Sequence, residues 1–260
     1  MNTGELTALL AAARHAAERA GIAILEVYNA AEAPGVRRKA DHSPVTEADE
    51  RAEAIILEIL GREAPGIPAI AEETAARLGL PGHTPPCFWL VDPLDGTKEF
   101  LKRNGEFTVN VALVEDKYSV LGVVHVPALG LTYAAAGPGT ATRQEGSLAP
   151  QSIQARRTPS RSAVVVHSRS HENNALFAKY LGTLDTPKTL ASGSAVKFCL
   201  LASGEADLYP RFGETMEWDT AAGQAVLEAA GGAVTTLEGA PFLYGKPGFL
   251  NPGFMARGRT

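Results

Sequence analysis

From Phe88 to Ala135 the sequence lays down four short runs of β-forming residues: Phe88–Val91, Phe107–Val114, Tyr118–Val126 and Leu131–Ala135. Only a helical turn at Lys98-Glu99-Phe100-Leu101 interrupts them. Turn residues separate these runs, and Asp116-Lys117 is placed to make a hairpin turn. The flanks differ. Residues 5–30 carry Leu6, Leu9, Leu10, Ala13, Ala17, Ile24 and Val27 along one stripe, which predicts an amphipathic helix. A second helix is expected from Thr46 to Leu60, with Thr46 and Asp49 as a capping box and Gly61 as its stop. Ile67 to Ala71 reads as a short strand. After Gly137-Pro138-Gly139 the texture changes to alternation: strand Ala163–Val166, helix Ser170–Leu181, helix Ser194–Ala202, strand Ala206–Tyr209, helix Asp219–Ala230, strand Ala233–Thr236. The expected class is therefore α/β, with an α+β half over residues 1–137 and an α/β half over 138–260.

The chain has 260 residues, 45% of them hydrophobic and 20% charged. That is enough to bury a large core, and it excludes a disordered chain or a disulfide scaffold. Lys and Arg number 24 against 29 Asp and Glu, a net charge of −5. This balance argues against a nucleic-acid polymer as partner, though not against a small anion held by local cations or metal ions. Cys87 and Cys199 each sit in an apolar run, as buried reduced thiols do. Glu5, Arg14, Glu18 and Arg19 break every apolar stretch near the start, so no signal peptide is expected. No uncharged run approaches the ~18 residues that span a bilayer.

The densest chemistry lies where the first of the β-runs ends, at Asp92-Pro93-Leu94-Asp95-Gly96-Thr97. Two carboxylates three residues apart leave a strand, Pro93 fixes one backbone angle, and Gly96 permits a tight turn. Free amides at the following helix start form a seat for phosphate. Crowded carboxylates call for a counter-charge, which a hard divalent cation with oxygen ligands supplies. Taken alone, such a motif is more often a solvated Asx turn. Two further acidic sites weigh against that: Glu72-Glu73 directly after a strand, and Asp219 at the start of an apolar helix. Each by itself is an ordinary strand end or N-cap.

Together, Asp92-Pro93-Leu94-Asp95-Gly96-Thr97 and Trp218-Asp219-Thr220-Ala221-Ala222 resemble the two signatures of the inositol monophosphatase superfamily of metal-dependent, lithium-sensitive phosphomonoesterases. The runs from Asp92 to Val114, Ala206 to Gly232, Lys39 to Asp49 and Ser168 to His171 are similar to its bacterial 3'(2'),5'-bisphosphate nucleotidase branch. The likeness covers nearly the whole chain, and it implies a layered αβαβα sandwich. It also implies two to three Mg²⁺ ions: one held by Glu72, Asp92 and the Leu94 carbonyl, a second by Asp92, Asp95 and Asp219, and a looser third near Glu72. Glu72 and Thr97 would orient and deprotonate the attacking water, with Asp49 supporting Thr97. Whether Asp49 does this or serves only the capping box is open from the residues. Gly96 and Thr97 would hold the scissile phosphate by their amides. Ser194, Lys197, His171 and Arg211 would line the nucleotide site, with the Gly193-Ser194 amides at a helix start.

The implied reaction is removal of the 3'-phosphate of adenosine 3',5'-bisphosphate to give AMP, with 3'-phosphoadenylyl sulfate as a further substrate, in support of sulfate assimilation. The alternatives are an inositol or other sugar phosphatase of the same superfamily and a nucleotide sensor without turnover. Phe100 to Phe107 and Tyr209-Pro210-Arg211-Phe212-Gly213 favour the nucleotidase. Ala195 stands where a second serine is usual, which bears on fine specificity. Which of Glu72 and Glu73 faces the metals is open. The resemblance leaves room for a homodimer. It points to the cytoplasm, and the sequence does not exclude loose attachment to the inner face of a membrane.

Overall fold

The computed structural model describes residues 1–30, 36–38, 44–169 and 174–259. The expected site residue His171 and the motif residues Lys39 to Ser43 lie outside them.

The chain opens with α1 (Thr3–Tyr28), closed at its start by a capping box between Asn2 and Glu5. A two-stranded ribbon of β1 (Val36–Arg38) and β2 (Pro44–Thr46) leads into α2 (Glu47–Glu63). The Thr46–Asp49 capping box forms as expected. Gly61 does not stop α2. The helix tolerates it on an exposed face and ends at Glu63, with Ala64 as a non-helical cap, because Pro65 follows and disfavours helical geometry in the residue before it.

Next come β3 (Ala69–Ala71) and α3 (Glu72–Leu78), a short helix that the sequence reading does not anticipate. β4 (Cys87–Asp95), α4 (Thr97–Leu101), β5 (Thr108–Glu115), β6 (Tyr118–Val126), β7 (Leu131–Ala136), β8 (Thr142–Glu145) and β9 (Gln151–Ser152) follow. Strands β3 to β9 form one seven-stranded sheet in sequence order, with β3 parallel to β4 and the remaining pairs antiparallel. The sheet thus runs past residue 137. Asp116 and Lys117 both take positive φ, the geometry of a two-residue hairpin turn between β5 and β6.

The second half contains β10 (Val164–His167), α5 (Asn174–Leu181), β11 (Lys188–Ala191), α6 (Val196–Ala202), β12 (Leu208–Arg211), β13 (Thr215–Met216), α7 (Ala221–Ala229), β14 (Ala233–Thr236), β15 (Leu250–Asn251) and β16 (Phe254–Arg257). β10, β11, β12, β14 and β16 make a five-stranded sheet, ordered β11-β10-β12-β16-β14. The helix expected to start at Asp219 starts at Ala221 instead, since a 3₁₀ turn over Glu217–Asp219 precedes it.

Three cores define five layers. Ala13, Ala17 and Ile24 of α1 and Ile56 and Leu60 of α2 pack on one face of the large sheet, against Trp89, Val91, Val111 and Val123. The alternate residues Phe88, Leu90, Ala112 and Val124 face the other way, onto Phe198 and Leu201 of α6 and Val226 and Leu227 of α7. Val166, Tyr209, Val234, Phe254 and Ala256 of the small sheet cover those helices from beyond. Ala163, Val165 and Leu208 then turn outward to Phe177, Tyr180 and Leu181 around α5. Strand alternation of period two produces this stacking: each sheet is apolar on both faces and must be covered twice. Cys199 is buried in the middle layer as expected, whereas Cys87, at the outer end of β4, is only half-buried.

Candidate active site

β4 carries the first acids. Its pairing with β5 holds from Cys87 to Asp92, opposite Asn110, then slips, and resumes at Asp95 opposite Thr108. The slip accommodates Pro93, which has no amide to give to the ladder. It turns Asp92 inward, fully buried, with its Oδ1 accepting the Leu94 amide at 3.1 Å. Gly96 follows in the left-handed region at φ +92°, where a Cβ would stand 3.1 Å from the Ser194 Oγ and 3.3 Å from the Glu106 carbonyl, so glycine alone fits without strain. α4 then starts at Thr97 and leaves its first amides without partners inside the helix.

The other acids arrive on helix starts. Glu72 is the first residue of α3, directly after β3. Glu53 of α2 fixes that start, since its carboxylate accepts the Glu73 amide at 2.7 Å and the Thr74 hydroxyl at 2.7 Å. One turn earlier on α2, Asp49 accepts the Thr46 amide and hydroxyl at 2.8 and 2.6 Å through Oδ2, and the Thr97 hydroxyl at 3.2 Å through Oδ1. Asp49 therefore serves the capping box and contacts the Thr97 hydroxyl at the same time. Asp219 ends the 3₁₀ turn, with Oδ2 accepting the Met216 amide at 2.9 Å. Asn251 of β15 clamps that segment from behind, its amide donating to the Met216 carbonyl and the Thr220 hydroxyl at 2.9 Å each.

These segments meet around a cavity of about 450 Å³. Glu72, Asp92, Leu94, Asp95, Gly96, Thr97, Ser194, Lys197, Arg211 and Asp219 all line it. Asp49 stands behind Thr97 rather than on the wall. Of the adjacent pair, Glu72 reaches the cavity, and Glu73 is buried away from it. The Gly193 amide is not available to a ligand, because it donates to Glu106 at 2.9 Å. Helix α6 begins at Val196, beyond Ser194, so the expected helix-start amides at 193–194 do not form a seat.

Electrostatically the wall is divided. Burial, then the charges of Glu72, Asp95 and Asp219, push the Asp92 carboxyl well above the usual carboxylate range. Burial, then Asp95 and Glu72, do the same to Asp219. Asp95 is raised by burial against the pull of Lys197. Lys197 is itself buried. Desolvation lowers its ammonium to about 8 while Asp95 opposes the shift, and its Nζ donates to the Ser194 carbonyl at 2.6 Å. Among the described residues no three acidic, His or Cys side chains form a ready-made chelating cluster. The donor set nevertheless suits Mg²⁺, which takes few protein oxygens and completes its shell with water and phosphate. Four mutually repelling carboxylates around one cavity are short of positive charge, and a divalent cation would provide it.

Ser168, Glu214, Thr215 and Met216 also line the wall; the sequence places them in runs that carry the resemblance but gives them no role at the site. The sequence reading also overlooked the supports Glu53 and Asn251. Neither Glu53 nor Asn251 belongs to a motif. Glu53 is a lone acid inside an amphipathic helix, and only its one-turn spacing from Asp49 hints that it faces the same way.

A profile of the inositol monophosphatase family matches residues 5–257. The chain is 48% identical over 239 residues to the 3'(2'),5'-bisphosphate nucleotidase CysQ of Escherichia coli O157:H7, covering 92% of this chain and 95% of that one. It is 31% identical over 229 residues to the CysQ nucleotidase of Haemophilus influenzae, covering 86% and 83%. Among solved structures, CysQ from Bacteroides thetaiotaomicron superposes with a TM-score of 0.81 at 36% identity, over 96% of this chain and 97% of that one. An inositol monophosphatase from Anabaena gives 0.77 at 27% identity, over 98% and 92%.

Proposed function

The chain belongs to the inositol monophosphatase family, and on that premise we propose that it is a Mg²⁺-dependent 3'(2'),5'-bisphosphate nucleotidase that hydrolyses adenosine 3',5'-bisphosphate to AMP and phosphate. The observation that carries this reading is the divided cavity, with carboxylates from β4, α3 and the Glu217–Asp219 turn on one side and the buried Lys197 with the half-buried Arg211 on the other. A substrate with one phosphate to cut and another to hold matches both sides.

Glu72, Asp92, the Leu94 carbonyl, Asp95 and Asp219 would hold the magnesium. When bound, it supplies the positive charge that makes water a better nucleophile and steadies the oxygen leaving the ribose. The rest is done by the chain's own groups. Thr97 has its hydroxyl hydrogen committed to Asp49, so its oxygen is left to accept from the attacking water and orient it. Glu72 takes that water's proton. The free amides at Gly96 and Thr97 steady the phosphate as the new P–O bond forms and the bond to the ribose 3'-oxygen breaks. That oxygen then takes up a proton. Lys197 and Arg211 hold the 5'-phosphate, which is bound by protein cations and left uncut.

The same chemistry extends to 3'-phosphoadenylyl sulfate, consistent with a role in sulfate assimilation, and lithium inhibits it. A substrate panel with phosphate detection tests the reading. The bisphosphate nucleotide is expected to turn over faster than inositol 1-phosphate. The reverse order would assign the chain to the sugar phosphatases, and nucleotide binding with no phosphate release under saturating Mg²⁺ would make it a sensor.

A further inference from the structure

Glu106, in the loop between α4 and β5, joins three segments at the cationic end of the cavity, and the account above gives it no task. Its Oε2 and Oε1 accept Nε and Nη2 of Arg169 at 2.8 Å each, a two-pronged pair. Oε2 also accepts the Gly193 amide at 2.9 Å. Arg169 directly follows Ser168, and Gly193 directly precedes Ser194, and both serines line the cavity. One carboxylate therefore anchors the chain next to two wall residues that come from different elements.

The anchoring is close. A Cβ on residue 193 would come within 2.8 Å of the Glu106 carbonyl oxygen and 2.9 Å of the Glu99 Cγ. The next residue, Ser194, is held at φ +55°, a conformation that a non-glycine residue keeps only when its surroundings enforce it. From that position the Ser194 hydroxyl donates to the Asp95 carbonyl at 2.6 Å, and its own carbonyl accepts the Lys197 ammonium at 2.6 Å. Glu106 grips one side of this two-residue turn, and the other side sets where Lys197 ends. The guanidinium of Arg169 is meanwhile spent on Glu106.

We infer that Glu106 is a specificity-positioning residue: by pinning Gly193 and Arg169 it presets Ser194 and Lys197 for a second phosphate that is bound but not cut. This rests on the nucleotidase reading. A carboxylate can accept all three donors, whereas a carboxamide must turn one N–H toward a donor.

The test compares wild-type, E106Q and R169K full-length protein on adenosine 3',5'-bisphosphate and on adenosine 3'-monophosphate, which lacks the 5'-phosphate. Mg²⁺ half-saturation and thermal unfolding are measured alongside. E106Q is expected to lose about tenfold of the preference for the bisphosphate, the order expected when buried polar partners are mispaired, through a raised KM. Turnover of the 3'-monophosphate should stay within about twofold and Mg²⁺ half-saturation should not move, whereas a merely structural role would shift both. R169K, which keeps the charge on an exposed side chain but loses the fork, should lose a smaller part of the preference. Should E106Q fail to fold, R169K carries the test, and an unchanged preference there overturns the inference. A preference intact in E106Q, or equal losses on both substrates, overturns it too. A wild-type protein with no preference for the bisphosphate would instead sink the nucleotidase reading itself.

Discussion

Asp92 sits at the point where burial and charge conflict most. It is fully buried, its neighbours are acids, and its carboxyl is pushed well up. Replacing it with Asn removes one of the repelling charges and, on the proposed assignment, a metal ligand. Asp92→Asn should therefore reduce phosphate release by about 10²–10³ or more, the scale on which preorganised charge stabilisation acts. The metal-free fold should remain at least as stable as wild type, because relief of crowding offsets the lost contact. Parallel activity and thermal-unfolding measurements check this, and retained turnover would remove Asp92 from the metal site. Lys197→Ala should raise KM for the bisphosphate more than for adenosine 3'-monophosphate. Equal effects on both would mean that Lys197 does not meet the 5'-phosphate. These residues were legible because chemistry and motif coincide in them: Asp92, Asp95, Thr97 and Asp219 lie in two signatures that the fold brings to one cavity. Glu106, Glu53 and Asn251 were not. Each is a single polar residue whose importance comes from a partner 20 or more positions away in sequence.

Among the elements, α2 has a part in the site out of proportion to its place in the fold. Asp49 and Glu53, one turn apart, send one carboxylate to the Thr97 hydroxyl and the other to the amide end of α3, where Glu72 begins. The helix acts as a strut between Thr97 and the start of α3, the two places proposed to handle the attacking water. Glu53→Gln should cost about 1 kcal/mol of stability, as the loss of a helix cap does. It should also lower kcat more than it raises KM. A fall in stability with kcat unchanged would make Glu53 a structural cap only. The end of α2 shows why element boundaries are hard to read: Gly61 looked like a stop, but Pro65 set the end. The strands from Phe88 to Ala135 were plain from their β-formers. β11 and β16 escaped because one is an exposed edge and the other, Phe254–Arg257, earns its place between β12 and β14 by pairing across the chain rather than by its own composition.

At the scale of the whole molecule, no described helix is long and apolar enough to cross a membrane. The sandwich carries its acids where the layers meet, and stability should record this. Asp92 and Asp219 have folded-state proton affinities raised above the ordinary carboxyl value of 3.8. Between that value and the raised ones the folded protein binds more protons than the unfolded chain, so metal-free stability falls as pH rises through this window. On the proposed assignment Mg²⁺ would take the place of those protons. At neutral pH and a hundredfold excess over its dissociation constant it should add about 2.7 kcal/mol, or roughly 5–10 °C in Tm, and this gain should shrink as the pH falls towards 4. Differential scanning fluorimetry across pH, with and without Mg²⁺, reads the pattern directly. A gain independent of pH would place the ion away from the raised carboxyls.

The central claim is that acids from β4, α3 and the turn before α7 gather magnesium, and that this gathering makes the chain a phosphatase. The most direct check is phosphate release from adenosine 3',5'-bisphosphate by protein stripped with a chelator, dialysed, and then titrated with Mg²⁺. The account predicts negligible release from the stripped protein and full recovery on titration. Undiminished release from the stripped protein would contradict it.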